Sequence, residues 1–103
     1  MSVICGGFNA ESGLDEEEYA MVCSLQDQVI TQLGSAVTHF TPVAVRKQVV
    51  AGINYWFKVQ VGESNYIHVK IFKPLPYTME PPEVKEVHSG KTHADPLWAS
   101  EED

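Results

Sequence analysis

Apolar positions along this chain repeat first at a helical period and then at a strand period. Val22, Leu25, Val29 and Leu33 fall on one face at helical spacing, with Tyr19 at its margin and Gln26 interrupting it. Asp15 with Glu18 three residues on predicts a capping box, and the acidic run Glu16 to Glu18 suits the positive end of a helix dipole. Gly34 is a natural stop. One helix over about residues 15–33 is predicted. Past residue 41 the period becomes two. Val43, Val45 and Val49 alternate with Ala44, Arg46 and Gln48. Ile53, Tyr55, Phe57, Val59 and Val61 alternate with Asn54, Trp56, Lys58 and Gln60, and Ile67, Val69 and Ile71 with Tyr66, His68, Lys70 and Phe72. Each run predicts an antiparallel strand with one face on a core.

The connections complete the outline. Gly62 to Asn65 is a polar turn, and the loop "KPLPYTMEPPE" leads to a weaker strand around Val84 to His88. The elements predict an α+β fold, one N-terminal helix packed across a four- to five-stranded antiparallel sheet, with sheet and tail over about residues 41–99. Residues 1–12 carry no charge before Glu11 and contain Gly6-Gly7, which predicts a flexible arm.

Successive turns of a meander alternate between its ends. The turn at Ala51-Gly52 and the loop at Leu75-Pro76-Tyr77 therefore share one end, with residues 62–65 at the other. Helix and first strand are joined by a short connection and have comparable lengths, roughly 27 Å and roughly 30 Å, so the helix start and the arm should return to the Ala51-Gly52 end. Val3 to Gly7, Gln48 to Gly52 and Leu75 to Tyr77 then converge as one uncharged edge. A contiguous apolar edge of this kind marks a binding surface. Taken by itself, "QVVAG" (Gln48 to Gly52) is equally a strand end closed by a turn glycine.

Composition narrows the partners. The chain has 103 residues, enough for one core and one domain. Its formal net charge of -7 gives no cationic face for nucleic acid or an anionic membrane surface. The first residues lack the charge pattern and apolar run of a signal peptide, and no stretch is long enough to span a bilayer. Cys5 and Cys23 are the only cysteines; with nothing to suggest export, free thiols in the cytoplasm are expected. A Cys5 nucleophile served by His39, His68, His88 or His93 has no motif to orient it. His88 and His93 lack ligand spacing and further donors. No catalytic residue, metal or cofactor is expected, and the chain does not read as an enzyme.

"QVVAG" followed by "NYWFKV" (Asn54 to Val59), with "VICGG" (Val3 to Gly7) before it and Leu75-Pro76 after it, resembles the cystatins. The likeness is greatest to the stefins, the intracellular type without disulfides. It continues in "DQVITQL" (Asp27 to Leu33), "KIFKPLP" and "KTHADPL" (Lys91 to Leu97), and so runs along essentially the whole chain. Departures are a shorter connection after the helix, a slightly longer arm before Gly6, and Tyr77 where stefins often have glycine or histidine.

The resemblance implies a reversible, tight-binding competitive inhibitor of papain-like cysteine proteases such as lysosomal cathepsins, acting as a tripartite wedge in the active-site cleft. Gly6 would then pass close to the cleft, with Val3, Ile4 and Cys5 in the non-primed pockets. Gln48, Val49, Val50, Ala51 and Gly52 would block the catalytic pair, while Leu75, Pro76 and Tyr77 would brace the primed side. A cytoplasmic monomer is expected, with a domain-swapped dimer as a hazard of opening the Ala51-Gly52 turn. The alternative is a non-inhibitory interaction or self-assembling module on the same fold.

Overall fold

The computed structural model describes Cys5, residues 13–34 and residues 37–95. Helices α1 (Glu16–Ser24) and α2 (Gln26–Leu33) precede strands β1 (Thr41–Val50), β2 (Gly52–Gln60), β3 (Tyr66–Lys73) and β4 (Glu83–Lys91). Among the described residues the strands form one antiparallel sheet in the order β1-β2-β3-β4. The architecture is the expected α+β arrangement, with helices on one face of a four-stranded meander.

The helix start follows the sequence signal. Asp15 Oδ1 accepts from the Glu18 backbone N–H at 2.7 Å, while Glu18 Oε1 accepts from the Asp15 N–H at 3.0 Å. These reciprocal bonds satisfy two amides that the first turn leaves open. Gly34 ends α2 in the left-handed conformation, φ +79°. The single expected helix is divided at Leu25, whose N–H donates to Val22 O at 3.2 Å, a tighter turn than the α-helix makes. The regular ladder resumes with Val29 N–H to Leu25 O at 3.0 Å. Leu25 and Gln26 are both buried, so the interruption in the apolar stripe coincides with the break.

Val22, Leu25 and Val29 meet Tyr55, Phe57, Val59, Ile67, Val69, Ile71 and Val84 in the core. Leu14 and Phe40 close its margins, and Gln32 Nε2 donates to Val84 O at 3.2 Å, tying α2 to β4. The β1 register slips between Pro42 and Ala44. Pro42 therefore pairs with Val59 and Val45 with Phe57, which puts Pro42, rather than Val43, in phase with Val45. A proline is tolerated there because β1 is an edge strand.

The opposite sheet face differs from the half-buried pattern expected. Trp56, Lys58 and His68 alternate away from the helices, yet all three are buried. The turn at residues 92–95 caps Lys58, whose Nζ donates to the carbonyls of His93 and Asp95, each at 2.6 Å. That turn is closed by Asp95 N–H to Thr92 O and Thr92 N–H to Asp95 Oδ2. The Trp56 ring stacks near His88 at 6.1 Å between centroids and lies under Lys70 Nζ at 5.5 Å. Two carbonyls on one ammonium make burial of Lys58 tolerable. Among the described residues no helix is long and apolar enough to cross a membrane.

Candidate functional site

The β1–β2 hairpin places its apolar residues outside the core. Val50 pairs with Gly52 and leaves Ala51 at the apex. Val49 is 78% exposed and Val50 45%, while Gln48 and Ala51 are also exposed. Gly52 itself is buried and has φ +125°, a conformation L side chains rarely adopt. A Cβ there would lie 2.7 Å from the Lys73 carbonyl oxygen and 2.7 Å from the Phe72 ring. The turn needs glycine for both reasons, and the hairpin is pressed against the end of β3.

That contact brings the second loop alongside. Ile53 pairs with Lys73, so Gly52 and Pro74 extend past the same end of the sheet. Leu75 enters the loop extended and Pro76–Thr78 make a single 3-10 turn. Thr78 donates to Leu75 O through N–H at 3.0 Å and through Oγ1 at 2.8 Å. Met79 N–H donates to Pro76 O at 3.1 Å. The loop is thus braced from within, and Tyr77 is 80% exposed. Met79, which sequence reasoning passed over, is 89% exposed and holds φ +60°. A bulky apolar residue beside Pro and Tyr in an otherwise charge-free loop tip was the available signal. The Gly62 to Asn65 turn lies at the other end, where Gln60 pairs with Tyr66.

The helix start also returns to this end. Glu18 Oε2 accepts from Lys47 Nζ at 2.8 Å, and Glu18 is buried to 5% exposure. Lys47 pairs with Tyr55 and so faces the helix side of the sheet. A lysine occupying an inward position of an apolar strand was the sequence signal for this pair. The hydrogen bond to Glu18, and then its negative charge, hold the Lys47 pKa above its ordinary value. Burial raises that of the neighbouring Tyr55 phenol, partly opposed by Lys47.

Cys5 lies elsewhere. Contrary to the expected free thiols, Cys5 and Cys23 are joined in a disulfide with their Cα atoms 5.7 Å apart, within the ordinary range for such bridges. Cys5 forms an isolated parallel bridge with Phe40, the residue before β1, at the end of that strand remote from Ala51. Spacing alone could not reveal this, because the pairing depends on how the arm docks rather than on any local period. A nucleophilic role for Cys5 is closed to it in this bond. Val3, Ile4 and Gly6 lie outside the described residues. The structure therefore gathers Gln48 to Gly52 with Leu75 to Tyr77 and leaves Cys5 apart. Among the described residues no cluster of three or more His, Cys, Asp or Glu could hold a metal ion.

The described residues thus form a helix-covered antiparallel meander whose first hairpin tip is apolar and exposed at the same end as a braced second loop. Residues 31–96 match the cystatin domain model. The chain belongs to the cystatin family, and within it to the stefin type. It is 35% identical over 92 residues to Cystatin-A1 of Sus scrofa, covering 89% of each chain. Stefin-C of Bos taurus is 32% identical over 92 residues, covering 89% of this chain and 91% of the relative. Leukocyte cysteine proteinase inhibitor 1 of Sus scrofa is 30% identical over 95 residues, covering 92% of each.

Proposed function

We propose that this protein is a reversible, tight-binding competitive inhibitor of papain-like cysteine proteases, lysosomal cathepsins among them, and acts by occlusion rather than as an enzyme. The carrying observation is the edge at which Val49 and Val50 stand exposed beside Tyr77 on two constrained turns. Such turns lose little conformational freedom on docking, so most of the gain from covering their apolar surface is retained as affinity. Gln48 to Gly52 would face the catalytic cysteine and histidine, and Leu75 to Tyr77, with Met79, the neighbouring side of the cleft. A closed hairpin apex cannot lie along the cleft as an extended substrate does, which keeps its peptide bonds from the attacking thiolate. The porcine leukocyte relative, named as a cysteine proteinase inhibitor, supports the same reading.

Val3, Ile4 and Gly6 belong to the proposed surface as the resemblance implies. We place the protein in the cytoplasm as a monomer. Titration of papain or a cathepsin with the purified protein, followed by peptide hydrolysis, tests the reading: stoichiometric loss of activity is expected. Full activity at micromolar inhibitor would favour a non-inhibitory module instead.

A further inference from the structure

We propose that the thioether of Met79 is a modification site, oxidised to the sulfoxide by hydroperoxides, and that its oxidation weakens the hold of the second loop on a protease; this rests on the inhibitor reading above. Three observations carry it. The first is access. Met79 is 89% exposed, more than any other large apolar residue among those described. The remaining described sulfurs are less available to an oxidant. Met21 is part-buried and packed against the core. The chain's two cysteines are joined to each other, so no thiol competes for the peroxide. With thiols taken up, an exposed thioether is the next group to oxidise.

The second observation is backbone strain. Met79 has φ 60° and ψ 18°, and among the described residues it is the one non-glycine residue with a positive φ. The left-handed region crowds the Cβ of an L residue, a cost that glycine avoids and asparagine lessens. Apolar surface left in water adds a second cost at the same residue. The core offsets neither, because the side chain stands outside it, and Met79 enters the turn through its backbone N–H. A partner covering the thioether would offset both. The third is rigidity. Met79 N–H donates to Pro76 O at 3.1 Å, and Glu80 N–H donates to Thr78 Oγ1 at 3.3 Å. The Met79 backbone is thereby fixed relative to Pro76 and Tyr77, and its side chain is presented with theirs. With hydrogen peroxide, a sulfur lone pair attacks one oxygen, an S–O bond forms and the O–O bond breaks. The departing hydroxide takes the proton of the transferred hydroxyl and leaves as water. Sulfur loses two electrons and the peroxide gains them. The sulfoxide is polar and chiral, and covering it in place of the thioether costs desolvation of its oxygen.

The test treats the purified protein with hydrogen peroxide, removes the oxidant by desalting, and then measures inhibition of papain. Peptide mass spectrometry locates each added oxygen. Oxygen should appear on Met79 before Met21. Inhibition should weaken about tenfold as Met79 oxidises, the scale of losing one covered apolar side chain. The thermal unfolding midpoint should stay in place, because Met79 lies outside the core. Met79→Leu should inhibit equally before and after the same treatment, and untreated Met79→Gln should match oxidised wild type within about threefold. Affinity within about twofold of the starting value after complete oxidation of Met79 would overturn the proposal while leaving the inhibitor reading intact. An equal loss in Met79→Leu, or oxidation of Met21 ahead of Met79, would do the same. Absence of inhibition by the untreated protein would instead remove the inhibitor reading, and this inference with it.

Discussion

Val49 has 78% of its surface in solvent and Gly52 almost none, though they are three residues apart on one hairpin, so substitutions at the two should separate binding from stability. Val49→Asp touches no core residue and is expected to move unfolding free energy by no more than about 0.5 kcal/mol. It would put a charge into a protease contact and weaken inhibition by more than about tenfold, checked by inhibition constants beside a urea melt. Gly52→Ala should cost about 1–3 kcal/mol of stability, because its Cβ meets a backbone carbonyl and the φ is unfavourable. Its inhibition should fall as the tip shifts. The glycine requirement was legible in the sequence as a turn signal, but its second cause was not. The close approach of Lys73 is set by strand pairing and cannot be read from the pentapeptide alone.

At the scale of elements, α1 is pinned to β1 by Glu18 and Lys47, with Tyr55 behind them. Lys47 and Tyr55 both hold their protons more tightly when folded than when unfolded. Their contribution is therefore fully present below about pH 10 and is lost as the pH rises through the raised values. Urea unfolding between about pH 9 and about pH 11 should show stability falling, and Lys47→Met should flatten that fall. The helix boundaries and strand periods were legible because capping and alternation are local. Three features were not. The break at Leu25 follows packing, the slip at Pro42 changes which β1 residues face inward, and the Cys5 bridge depends on docking of a segment with no period of its own.

In the molecule as a whole, the helices and β1 are connected to the remaining strands through the Ala51 apex. If that apex straightens, α1, α2 and β1 can leave together and pair with a second copy. Both cysteines belong to the departing part, so the bridge travels with it and does not prevent the exchange. Mild heating followed by size-exclusion chromatography should yield a dimer that no longer inhibits, since the tip ceases to exist; persistence of a fully inhibitory monomer would speak against it. The meander and its apolar edge were visible in the order of turns, whereas the second buried face was not, because Lys58 looks like a solvent position until the 92–95 turn caps it. Trp56 on that face has an optical consequence. Its indole lies under Lys70 and near His88 on the sheet face away from the helices, well inside strand β2 rather than at the hairpin tips. Its emission should therefore report the opening of the sheet itself and stay nearly silent when a partner covers the tips.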